Sequence, residues 1–172
     1  MSIYFESTLI KIESRNIIKI PLSSSEQLPS RGMVMIEGLI NNISFTAPLE
    51  PDGKGSHWLE VDDNLCEKVG ILTGQSASIN LEAVNEWIEP EIPADIMEAI
   101  IREGLLSQWE TITTKARWEW LRWIRSTKNL TTRKKRIEVA CSKLQKGDKR
   151  PCCFDGTRCT ITDVSKSGIL LD

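Results

Sequence analysis

The stretch RWEWLRWIRSTKN, residues 117–129, sets three tryptophans and three arginines in its first nine positions. Aromatic faces interleaved with guanidiniums hold single-stranded nucleic acid by stacking and charge. The same residue types also pack small helical cores. Spacing separates the two uses. At about 100° per residue, Ala116, Trp120, Leu121, Trp123 and Ile124 fall on one arc of about 160°, a core-facing side. Trp118, Arg122 and Arg125 fall on the other side and form the outward face. That face is either a cation–π stack within the helix, worth about 0.5–1 kcal/mol, or a surface for bases or another partner.

The next segment, TRKKRIEVACSKLQ, places Arg133, Lys134, Lys135 and Arg136 in the first two turns of a helix that Asn129 can cap. Cations there oppose the macrodipole by about 0.3–1 kcal/mol each, so the arrangement needs a compensating anion. One source is the chain's own acidic stretch, Glu60, Asp62 and Asp63. The other is a bound phosphate or carboxylate held by free N–H groups and arginine forks. Arg133 lines up with Ile137, Ala140 and Leu144, so it is expected partly buried and paired.

Other residues offer less. Cys141, Cys152, Cys153 and Cys159 could together bind a soft metal or sense redox state, but paired CxxC spacing is absent and reduced thiols are the plainer reading. Gly53-Lys54-Gly55 lacks the phosphate-loop signature and reads as a hairpin turn. The single histidine, His57, excludes a multi-histidine metal site. With Trp58 it is expected on a strand at a barrel mouth, a possible pocket, with no adjacent nucleophile indicated. No catalytic residue and no cofactor is assigned.

The elements that must position these residues change character near Trp87. Before it, FESTLIKI, NIIKIPL, MVMIEGLI, ISFTAPL, HWLEV and SASINLEAV read as six short strands between turn signals, with DDNLCEKVGIL a short helix capped by Asp63 or Asn64. That pattern suggests a small closed or half-closed barrel. After it, EPEIPADIMEAIIREG, LLSQWETI, TTKARWEWLRWIRS and LTTRKKRIEVACSKLQ read as four helical segments. The expected class is α+β, with a β-barrel over 1–89, a helical module over 90–150 and a cysteine-bearing tail over 151–172.

Charge follows the same division. Residues 1–112 hold 7 basic and 18 acidic side chains, a net of −11, whereas 113–150 hold 13 and 3, a net of +10. An anionic partner should meet the basic segment. The chain has no apolar run long enough to span a bilayer and no secretory leader pattern, so a cytoplasmic location is expected.

The strand ending in IPL, then MIEGLINNISFTAPLEPDGKGSHWLEV and GILTGQSASINLEAV, resembles a bacterial barrel domain of unknown function. PADIMEAI, RWEWLRWIRSTKN and TRKKRIEVACSKLQKGDKRPCCF resemble the bacteriocin-protection, YdeI/OmpD-associated helical family that the barrel domain often precedes. The resemblance implies a split-barrel-like barrel with a helical appendage and a setting of envelope stress or bacteriocin tolerance, and it carries no catalytic residues.

The reading is therefore a non-enzymatic binding protein. Its basic module engages an anionic partner (a protein, a phosphate-bearing ligand or nucleic acid) through Trp118, Arg122, Arg125, Lys134, Lys135 and Arg136, with Arg133 orienting the site. Two alternatives stand beside it: a dedicated nucleic-acid binder, and a small-molecule or enzymatic site at the barrel mouth near His57 and Trp58.

Overall fold

A computed structural model describes residues 2–172, which divide into two compact units. The first comprises residues 2–86, 156–159 and 163–172; the second comprises 87–155 and 160–162.

The first unit is a closed six-stranded barrel. Strand β1 (Ile3–Thr8) pairs with β7 (Ser76–Ala83), while β2 (Ile10–Ile12) pairs with β3 (Arg15–Lys19). Only Leu9 lies between β1 and β2, so the two are one strand bent at that residue. The sheet order β1-β7-β4-β5-β6-β3-β2, with β4 at Val34–Ile40, β5 at Ile43–Pro51 and β6 at His57–Glu60, therefore returns to the strand where it began. Closure leaves the barrel without a free sheet edge.

Alternation fills the interior. Ile3 and Phe5, Val34, Ile36 and Ile40, Leu59, and Ala77, Ile79 and Leu81 point inward with Ile18 and Leu49 to form one buried cluster. Gly38 interrupts the inward series of β4, where an added Cβ would stand 2.1 Å from the Asn80 carbonyl oxygen. The strand can approach β7 that closely only without a side chain. Helix α1 (Leu22–Ser25) follows β3, and α2 (Asp63–Val69) follows β6. Asp62 caps α2 through the Leu65 N–H, one residue earlier than the sequence suggested, because Asp62 holds the extended backbone that a cap requires. Gly70 ends the helix in the left-handed region.

The second unit stacks α3 (Ala94–Arg102), α4 (Leu106–Thr111), α5 (Thr114–Arg125) and α6 (Leu130–Gln145). Their common core holds Ile96, Ile100, Trp109, Trp120, Ile124, Ile137 and Leu144. Thr113 and Asn129 cap α5 and α6 with their side chains, as their positions before apolar periodic runs imply. Strands β8 (Ser165–Lys166) and β9 (Ile169–Leu170) form a short hairpin within the first unit. There the Leu170 N–H donates to the Asp52 carbonyl on the β5–β6 turn.

Candidate functional site

Helix α5 carries the residues on which the sequence reading concentrated, and most of them face inward. Trp120 is fully buried, with its indole N–H on the Lys149 carbonyl at 3.0 Å. Trp123 packs partly buried against the same core, edge-on to Trp120 with ring centroids 5.9 Å apart. The expected outward face is largely engaged as well. Trp118 donates its indole N–H to the Ile88 carbonyl at 2.7 Å. Arg122 is only 3% exposed, with its guanidinium carbon 5.3 Å from the Phe154 ring. Arg125 donates to the Thr160 hydroxyl at 3.0 Å. The helical wheel placed these three side chains toward solvent. The segments before α3 and after α6 supply the partners instead, and periodicity within one helix carries no information about them.

Arg117, which the sequence reading did not single out, shows what α5 does for the unit. It donates to the Trp109, Glu110 and Ile112 carbonyls at the end of α4 and pairs with Glu89 at 2.5 Å. A cation at a helix C-terminus satisfies orphan carbonyls and complements the dipole. Arg117 also holds the Glu89 carboxyl below its ordinary range.

Helix α6 resolves the cation problem in two ways. Arg133 makes a bidentate pair with Asp95 in the first turn of α3, at 2.8 and 3.0 Å. Each partner stabilises the other's charge, so the Asp95 carboxyl titrates below its ordinary range and the Arg133 guanidinium above. Arg136 reaches the C-terminus of α5 and donates to the Trp123 carbonyl at 2.8 Å and the Ser126 hydroxyl at 2.6 Å. Its guanidinium carbon also lies 5.5 Å from the Trp123 ring. The unfavourable dipole of α6 is thus offset by the favourable negative end of α5. Glu60, Asp62 and Asp63, expected as internal anions for this segment, have partners inside the barrel unit: Arg15, the Leu65 N–H and Asn16.

Lys134 and Lys135 remain. Both are exposed, the first turn of α6 contains no acid, and among the described residues neither lysine has a carboxylate partner. Lys134 lines a groove of about 350 Å³ between α3 and α6. The groove has Ala99 and Ile137 among its apolar lining, the Arg133–Asp95 pair alongside, and Leu130, 80% exposed, also lining it.

His57 and Trp58 do not open a barrel mouth. They are 1% and 0% exposed. The His57 Nε2–H donates to the Gly32 carbonyl at 2.7 Å, which leaves Nδ1 to accept from the Ser25 hydroxyl at 2.6 Å. Arg31 in turn donates to the Ser25 hydroxyl at 3.1 Å. A serine hydroxyl on an imidazole nitrogen is the arrangement that activates nucleophiles. Here Ser25 is fully buried and the second ring nitrogen faces a main-chain carbonyl, so the network ties α1 and the loop after it to β6. No spacing pattern in the sequence signals Ser25 as the partner of His57. Burial, and secondarily Arg31, hold the imidazole pKa below its ordinary value. Trp58 donates to the Pro51 carbonyl.

Cys141 belongs to the helical unit and Cys159 to the barrel unit, both buried, whereas Cys152 and Cys153 are exposed. Among the described residues no cluster of three or more His, Cys, Asp or Glu is placed to hold a metal ion, and no helix is long and apolar enough to cross a membrane.

Fold and surface together define a class: a barrel protein with an appended helical unit that displays unpaired lysines. Residues 89–147 match the family described as Bacteriocin-protection, YdeI or OmpD-Associated, and residues 5–81 match a domain of unknown function, DUF1905. The helical module is thus similar to the YdeI/OmpD-associated family, and the barrel ahead of it to that domain of unknown function. No curated protein matches the chain.

Proposed function

We propose that the helical unit is a non-enzymatic docking module for an anionic partner, engaged by charge at the start of α6. The observation that carries this reading is the contrast within one basic run. Arg133 and Arg136 are bound internally, while Lys134 and Lys135 are exposed at the positive end of a helix whose first turn lacks an acid. Such a helix end favours an external anion. Lys128, also exposed, lies just ahead of the Asn129 cap and adds a further cation.

Nucleic acid is the less favoured partner. Stacking on tryptophan would be its second source of affinity, yet the Trp118 and Trp120 indoles are hydrogen-bonded within the unit and Trp123 packs against its core. An acidic protein surface or a phosphate-bearing ligand needs only the lysines. The similarity of residues 89–147 to a family described by bacteriocin protection supports a setting there, and we take the protein to act in it from the cytoplasm. In this reading the barrel and the helical module are separate working parts.

The test is binding of anionic probes (inorganic phosphate, heparin and short single- and double-stranded DNA) to the full chain across a salt series. We expect binding that weakens as salt rises, and a loss of at least about tenfold, or 1.4 kcal/mol, when Lys134 and Lys135 are both changed to Glu. Unchanged affinity in that variant, or no binding of any probe at low salt, overturns the proposal. A tighter, stacking-dependent preference for single strands would move the assignment to nucleic acid.

A further inference from the structure

Two thiols stand apart from the lysine site. Cys152 and Cys153 occupy a turn after α6; both are exposed, and their Sγ atoms lie 3.1 Å apart. Successive side chains of an extended segment point to opposite sides. Here Cys153 has a left-handed backbone, φ 61°, and the turn brings both sulfurs together. The turn is anchored on both flanks. Trp120 holds the Lys149 carbonyl before it, and the Phe154 ring lies beside the buried Arg122 after it.

The spacing chooses between two chemistries. Two thiolates on tetrahedral zinc, with Zn–S near 2.3 Å, stand about 3.8 Å apart. At 3.1 Å the pair is closer than that, and no further ligand group completes a metal site among the described residues. A sulfur–sulfur bond of about 2.05 Å needs only a closure of about 1 Å.

We propose that Cys152 and Cys153 form a thiol–disulfide exchange site whose co-reactant is a low-molecular-weight disulfide. The thiolate of one cysteine attacks the small disulfide, whose S–S bond breaks. One half leaves as a thiol, taking up the proton that the cysteine lost, and the other half stays on the protein as a mixed disulfide. The second cysteine, losing its own proton, then attacks the protein sulfur of that mixed disulfide and releases the other half as a second thiol. Two protein thiols are oxidised to one Sγ–Sγ bond, and one small disulfide is reduced to two thiols.

Adjacent Cα atoms across a trans peptide lie about 3.8 Å apart, below the roughly 4.4–6.8 Å of ordinary disulfides. The product is therefore strained and easily reduced, which suits a reversible signal and not a structural staple. The hydrogen bond with Cys152 raises the Cys153 thiol above its ordinary value, so exchange quickens as pH rises. Burial pushes the Cys66 and Cys141 thiols up, and Cys159 is buried, which makes these three internal comparators.

Cleavage after Lys149 and Arg158 yields a fragment that contains Cys152 and Cys153 and no other cysteine. The reduced full chain would be incubated with oxidised glutathione, trapped by alkylation and mapped by mass. We expect this fragment to be two hydrogens lighter, unalkylated and free of glutathione, with two equivalents of reduced glutathione released per chain. Cys152→Ser and Cys153→Ser should each keep glutathione on the remaining cysteine. The proposal fails if the wild-type fragment emerges doubly alkylated. It fails equally if it carries as much glutathione as the single variants. The wild-type map decides even where a variant does not fold.

Discussion

His57 illustrates how a residue's chemistry is set by what closes around it. Both ring nitrogens are used, and the Ser25 hydroxyl both donates to the ring and accepts from Arg31. Protonating the imidazole would remove the acceptor for the Ser25 proton and add a buried cation facing Arg31. Stability should therefore follow pH with a definite sign. The folded pKa lies below the ordinary 6.5, so the unfolded chain binds the proton first, and stability falls as pH drops through about 6.5. His57→Phe should abolish that acid-side slope in denaturant titrations. It should also cost about 1–3 kcal/mol at neutral pH, because Ser25 and the Gly32 carbonyl lose their partner. An unchanged slope in the variant would place the acid sensitivity elsewhere.

At the scale of elements, caps and periodic runs made most boundaries legible. Thr113, Asn129 and Gly70 sit where the elements begin or end, because capping is a local contest between side chain and backbone that a few residues decide. Barrel closure was less legible. It depends on β1 and β2 being one bent strand that pairs on one side with β7 and on the other with β3. Gly38 is the residue through which that pairing can be probed. Gly38→Ala places a methyl group against the Asn80 carbonyl and should destabilise the barrel by about 1–3 kcal/mol. A thermal midpoint equal to wild type would show that β4 and β7 can separate at no cost.

For the whole molecule, charge and tail are where linear reading and tertiary organisation diverge most. The contrast of −11 and +10 along the chain narrows when residues are grouped by compact unit. The barrel unit holds 8 basic and 14 acidic residues, a net of −6, and the helical unit 14 and 10, a net of +4. The residues after 155 are shared between the units: 156–159 and 163–172 with the barrel, 160–162 with the helices. Val164 and Leu170 are buried there, and Arg15 pairs with Asp163 at 2.8 Å. Leu170→Ala should cost about 2–5 kcal/mol. In hydrogen exchange we expect faster loss of protection in β5 and β6, with α6 amides protected as in wild type. Equal loss in both units would mean that they unfold as one.

Periodicity, caps and local charge are enough to read the class of each half, the six strands and four principal helices, and the position of the basic run from the chain alone. Which of those cations stay available is settled by packing. Arg122, Arg125, Arg133 and Arg136 find partners brought in from Phe154, Thr160, Asp95 and the end of α5, while among the described residues Lys134 and Lys135 have no carboxylate partner. The physical reason is that a guanidinium's fate depends on carbonyls, rings and carboxylates many residues away. Their proximity is a product of packing, and no spacing along the chain encodes it.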